Sequence, residues 1–227
     1  MMRSFWYLVI LLALVPSLSF TADKLSDLPI REFPAANGSR SVMAVFLTGD
    51  AGWADADKKM AQSLADSGIS VVGINALKYF WHRRTPEEAS QALQIILSYY
   101  MPAWEKDGVI VMGYSLGADV LPFMISRLPE EMRSKIVLIT LVSLGHNADF
   151  KFHFAEWLGI SSHHEFPVKP EIERLRGMKI LCISGDNDHH SLCPELGSDL
   201  VTSVVLKGSH HIINHFGIII HSMLGEI

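Results

Sequence analysis

The 227-residue chain is 49% hydrophobic and 19% charged, with a formal net charge of −5. That length supports one well-buried core and is too short for two ordinary domains. The acidic balance leaves no electrostatic footprint for nucleic acid, and no polybasic stretch serves anionic lipid heads, so any peripheral membrane contact has to be local or apolar.

Met1 to Ser4 carries a single charge, Arg3, and the eleven residues from Phe5 to Val15 carry none before Pro16 and a set of small residues. A membrane span needs about 20 apolar residues, so this anatomy reads as a secretory signal peptide over 1–19, with Thr21 or Ala22 as other ends. An uncleaved N-terminal anchor is the alternative. Either way 20–227 is expected outside the cytoplasm, and losing Arg3 would move the net charge to −6.

Asp23 to Arg40 is polar and turn-rich and reads as an extended arm or edge hairpin. Ser41 to Leu47 is near-continuously apolar, as a buried strand requires. It ends in Thr48-Gly49-Asp50-Ala51-Gly52-Trp53. A glycine-containing loop at that point suits the donation of a backbone N–H to a developing oxyanion, here from Asp50 or Ala51. The Asp50 carboxylate could instead face the mouth of a site and favour a cationic substrate. Asp50 or, better, Asp55 is expected to cap a helix from about Ala54 to Ser67, which Gly68 ends. Ile69 to Ile74 is the next strand. Asn75 to Thr85 reads as a loop whose Tyr79, Phe80, Trp81, Arg83 and Arg84 either line a groove or pack over the first helix. Pro86 then opens a helix to about Tyr100.

The strand Gly108 to Gly113 runs directly into Gly113-Tyr114-Ser115-Leu116-Gly117, a G-x-S-x-G pentapeptide followed by a helix-like stretch. In a strand, sharp turn and helix arrangement the serine hydroxyl is exposed at the tip of the turn, and only glycines leave room for so tight a bend. Ser115 is therefore the candidate nucleophile. The helix beginning at Leu116 adds unpaired N–H groups that favour negative charge beside it, so the Leu116 amide is the other oxyanion candidate. Pro122 predicts a kink in that helix. Ile136 to Leu144 is a further strand, and the alternation implies an α/β chain: a mostly parallel central sheet with helices on both faces.

Gly145 to Arg176 breaks the rhythm and reads as a cap-like insert, rich in aromatics and in histidines (His146, His153, His163, His164). The spacing matches no metal-ligand motif, so packing and surface roles are expected and no metal. Met178 to Ser184 and Ser203 to Leu206 are the last strands, and Asn214 to Ile227 a closing helix. Cys182 and Cys193 are the only cysteines. In an exported chain such a pair reads as a disulfide worth about 2–3 kcal/mol in the chain-entropy model, against unpaired thiols or a ligand-poor metal site.

A serine hydroxyl needs an adjacent imidazole to take its proton, and the imidazole needs a carboxylate to fix its tautomer. Ser115, Asp188 and His210 fall in the order nucleophile, acid, base, each after a strand, with Asp186 and His211 as close competitors.

Beyond these readings, the chain resembles the VirJ family of bacterial virulence proteins, which includes the carboxyl-terminal domain of AcvB. The likeness is carried by Leu47-Thr48-Gly49-Asp50-Ala51-Gly52-Trp53, by Gly113 to Phe123, by the Cys182 to Cys193 segment and by Gly208-Ser209-His210-His211. It implies an α/β-hydrolase fold, a periplasmic location, hydrolysis of aminoacyl-phosphatidylglycerol without a cofactor, notably of the lysyl ester, and links to type IV secretion components. Asp50 and Asp119 would suit such a cationic lipid head, with Trp53 grouped beside them as a substrate contact. His190 departs from the family pattern, which has an acidic residue just before Ser191. Two other functions stay open: a non-catalytic, secretion-associated binding protein on a hydrolase scaffold, and a general carboxylesterase or thioesterase.

Overall fold

In the computed structural model, residues 24–36, 40–151 and 166–227 are described. The signal-peptide reading and the central part of the expected insert, with His153, His163 and His164, lie outside them.

The strands are β1 (Ile30–Phe33), β2 (Val42–Leu47), β3 (Val71–Ile74), β4 (Gly108–Tyr114), β5 (Ile136–Val142), β6 (Asn147–Ala148), β7 (Phe166–Pro167), β8 (Ile180–Gly185) and β9 (Thr202–Leu206). The helices are α1 (Asp55–Asp66), α2 (Ala76–Tyr79), α3 (Pro86–Ala103), α4 (Leu116–Ser126), α5 (Glu130–Arg133), α6 (Lys169–Arg174) and α7 (Phe216–Gly225). Seven strands form one sheet in the order β1-β3-β2-β4-β5-β8-β9, and β6 pairs with β7 in a small antiparallel ribbon at the root of the expected insert. Among the described residues only β1 runs antiparallel in the large sheet.

The continuous apolarity of the central strands follows from burial on both faces. Met43, Val45 and Leu47 of β2 point into one core with α3, α4 and α6, while Ala44 and Phe46 point into the other with α1 and α7. Each such side chain contributes about 1.5–3 kcal/mol when fully buried. β2 and β4 are neighbours. The chain leaves β2 for β3 on one side and leaves β4 for β5 on the other. A crevice opens beyond the strand ends at such a reversal, and it places the loop after Leu47 beside the turn after Tyr114.

Some expectations are corrected locally. The stretch from Asn75 opens with α2, because the Asn75 side chain accepts the Lys78 amide and caps it. Tyr79 and Phe80 are buried in the core, which settles them as packing residues, whereas Trp81 is 55% exposed. α4 continues through Pro122 to Ser126. The final helix is shorter than expected, with a separate 3-10 turn over Ile212–Asn214 before it.

Candidate active site

Ser115 sits between β4 and α4 with φ 51° and ψ −121°, a backbone conformation that serine rarely adopts. The glycines two positions to either side permit it by close approach. A Cβ on Gly113 would lie 2.4 Å from the Gly117 carbonyl oxygen, and one on Gly117 would lie 2.4 Å from the Leu47 carbonyl oxygen. Real Cβ atoms do not tolerate such contacts, so the turn is closed by its glycines and the hydroxyl is left at its tip.

The loop after β9 brings His210 to this tip, with Nε2 2.9 Å from Ser115 Oγ. His210 Nδ1 lies 3.1 Å from Asp188 Oδ2, in the loop after β8. An ionised carboxylate has no hydrogen to give, so a neutral His210 ring satisfies both neighbours with its hydrogen on Nδ1 and its lone pair toward the serine hydroxyl. The Asp188 side chain is 3% exposed against 39% for His210, so the carboxylate is sheltered and the ring is reachable.

The competitors are placed elsewhere. Asp186 is exposed and accepts from the Gly208 amide at 2.9 Å, which straps the loop that carries His210 to the end of β8. His211 shares a 3.2 Å hydrogen bond between its Nδ1 and the Tyr114 hydroxyl. Burial pushes the Tyr114 phenol up to about 12, so it stays protonated. Cys182 and Cys193 are joined in a disulfide across the loop that carries Asp188.

The Leu116 amide stands at the first position of α4, where no helical acceptor precedes it. The facing loop is a turn closed by Gly52 N–H to the Gly49 carbonyl at 3.0 Å. A Cβ on Gly49 would lie 3.6 Å from Ser115 Cβ, so this turn borders the hydroxyl. Among the described residues the Asp50 and Ala51 amides donate to no backbone acceptor.

The turn is held by a residue that sequence reasoning missed. Ala54, not Asp50 or Asp55, is the N-cap of α1, and it makes no side-chain cap; Asp55 instead pairs with Lys58. The carboxylate that matters is Asp57, buried, which accepts the Gly49 amide at 3.2 Å. Burial, opposed by that amide, raises Asp57 to about 6. The third position of a helix that lacks a side-chain cap is where such a carboxylate can reach back, which is the only sequence signal it carried.

Trp53 follows this turn directly. Its ring packs between Phe33 and Phe46 with centroids 5.3 and 6.1 Å away, in the space that a Cβ on Gly73 would occupy. It anchors the turn to the sheet edge, and part of the residue stays exposed. Asp119, in the first turn of α4, accepts the Gly145 amide through Oδ1 at 2.7 Å. Burial first, then the charges of Asp188 and Asp50, push its carboxyl up to about 8, although part of the residue stays accessible. Among the described residues no cluster of metal-ligating side chains occurs.

Residues 41–227 match the protein family described as bacterial virulence protein (VirJ). No curated protein matches the chain in sequence. Solved structures share its architecture. Est1E from Butyrivibrio proteoclasticus superposes with a TM-score of 0.62 at 11% identity over 88% of this chain and 95% of its own. MenH from S. aureus gives 0.62 at 13% over 87% and 97%. The Pyrococcus furiosus esterase Pf2001 gives 0.60 at 14% over 89% and 90%. At such identities the likeness shows the fold, which is that of the α/β-hydrolases.

Proposed function

The chain belongs to the VirJ family of bacterial virulence proteins, and from that premise we propose that it is a periplasmic serine hydrolase acting on the aminoacyl ester of lysyl-phosphatidylglycerol. The observation that carries the hydrolase reading is the hydrogen-bonded line from Asp188 through His210 to Ser115 at the tip of a strained turn.

The chemistry follows from those positions. Ser115 Oγ attacks the ester carbonyl while His210 Nε2 takes its proton, and Asp188 stabilises the imidazolium through Nδ1. The Leu116 amide and an amide of the Asp50 turn hold the oxyanion. The imidazolium protonates the leaving glycerol oxygen, which leaves a lysyl ester on Ser115. Water, deprotonated by the same imidazole, releases the amino acid.

Electrostatics support an amine-bearing acyl group. Burial raises Asp119 most, the Gly145 amide opposes it, and the charges of Asp188 and Asp50 add a smaller upward push. A proton held there near neutral pH is given up when a cation replaces it, so an ammonium group and an ionised Asp119 stabilise each other. Periplasmic location, peripheral membrane contact and association with type IV secretion components rest on family membership and on the N-terminal segment.

A fluorophosphonate probe tests the hydrolase reading: the wild type is labelled and Ser115→Ala is not, and a folded wild type left unlabelled points to the binding-protein alternative. Vesicles containing lysyl-phosphatidylglycerol, assayed beside a short aryl ester, test the substrate. Release of lysine supports the lipid reading. Turnover of the aryl ester alone replaces it with a general carboxylesterase.

A further inference from the structure

The three residues after β5 bond to all three segments that carry Ser115, His210 and Asp188. Ser143 Oγ donates to the His210 carbonyl at 2.7 Å. The Leu144 carbonyl accepts the Leu192 amide at 2.8 Å, within the disulfide-closed loop that presents Asp188. The Gly145 amide donates to Asp119 Oδ1 at 2.7 Å, one turn into the helix that Ser115 begins. The Ser143 amide adds a bond to the Ile183 carbonyl of β8 at 2.8 Å.

Ser143 is fully buried and its φ is 56°, in the left-handed region. Glycine would adopt that conformation freely, whereas a serine is held in it only by its surroundings. What serine brings is the hydroxyl. It grips the backbone of the same residue whose ring must reach Ser115, which is the shortest lever available on that ring.

We propose that Ser143-Leu144-Gly145 is a positioning bracket that sets nucleophile, acid and base in register, with the Ser143 hydroxyl as its hold on the base. The inference rests on the serine-hydrolase reading and adds residues that touch neither substrate nor reacting atoms. Catalytic geometry is steep in distance: a displacement of about 1 Å costs on the order of a hundredfold in rate. Losing the Ser143 bond lets the base loop shift by a fraction of that, so a fall of about tenfold is expected.

The test compares Ser143→Ala, which keeps the strained backbone without the hydroxyl, with Ser143→Gly, which removes both hydroxyl and strain. Fluorophosphonate labelling is followed against probe concentration and pH, alongside the melting temperature. The bracket predicts that the maximal labelling rate falls about tenfold in both variants while half-saturation by the probe stays the same. The glycine variant should nevertheless melt above the alanine variant. Labelling at the wild-type rate in either folded variant overturns the bracket, as does a rate that recovers in glycine together with stability, since a purely structural residue would behave that way. A folded wild type that is not labelled at all overturns the hydrolase reading, and the bracket with it.

Discussion

Asp57 supports the site through one backbone atom, the Gly49 amide it accepts at 3.2 Å. Removing the acceptor leaves a buried N–H unpaired, which costs about 1–3 kcal/mol. Asp57→Ala should therefore lower unfolding free energy by that amount in urea and slow fluorophosphonate labelling as the turn beside Ser115 loosens. Asp57→Asn keeps an acceptor oxygen without a charge to desolvate, so it should retain stability, and labelling should recover. Equal loss in both variants would show that the charge, not the acceptor, matters. Asp119 yields a pH prediction. Its carboxyl ionises at its ordinary value of 3.8 in the unfolded chain and near 8 in the fold, so across that window the folded state holds the extra proton. Such a group contributes its stability fully below the unfolded value, and the contribution is lost as pH rises through the folded one. Asp57, at about 6, adds a contribution of the same sign that ends at a lower pH. The difference in melting temperature between Asp119→Asn and wild type should shift in the variant's favour between about pH 5 and pH 8; a difference independent of pH would refute the assignment.

The β4–α4 junction is sensitive to change, because two backbones approach each other there with no space for a side chain. A Cβ on Gly117 meets the carbonyl oxygens of Leu47 and Thr48 at 2.4 and 2.7 Å, so the obstruction is backbone and cannot swing aside. Gly117→Ala should cost about 3 kcal/mol or more, or prevent folding outright, as strain of this kind belongs to the upper tail of single substitutions. Gly217→Ala is the control. No atom lies within 4 Å of its Cβ position near the start of α7, so urea midpoints should separate the two variants clearly. The same junction was legible in the sequence, since G-x-S-x-G after an apolar strand states its own geometry. The edges of elements were less so. Val142 ends β5 two residues before the apolar run does, because Ser143 turns the chain toward the base loop and Leu144 is apolar for a different reason, its burial in the core. The packing of Trp53 was not legible, because the space that receives its ring belongs to Gly73, twenty positions on and silent in any local pattern.

At the scale of the molecule, a mostly parallel sheet with a core on each face was implied by apolar strands alternating with helices, whereas the order of the strands came only with the fold. The order Ser115, Asp188, His210 was readable for a related reason, because each follows the carboxyl end of a strand and parallel strands bring those ends to one side. Asp57 and Ser143 were not readable. Their partners are main-chain atoms of Gly49 and His210, and any residue type offers the same amide or carbonyl, so their roles exist only once the fold brings the segments together. The Cys182–Cys193 disulfide lies between these cases, seen in the spacing and placed by the fold. The loop it closes, between cysteines eleven positions apart, carries Asp188 just after β8, with Leu192 anchored to Leu144 beside it. Closing a loop of that length stabilises the fold by about 2–3 kcal/mol, mainly through the unfolded chain. Replacing both cysteines by serine should therefore lower the urea midpoint by a corresponding amount. The cost to labelling should be smaller than that of Ser143→Ala, because the acid loop keeps its bonds to Leu144 and to His210 once folded. Labelling that collapses in a folded double variant would instead make the disulfide itself the part that holds Asp188 in place.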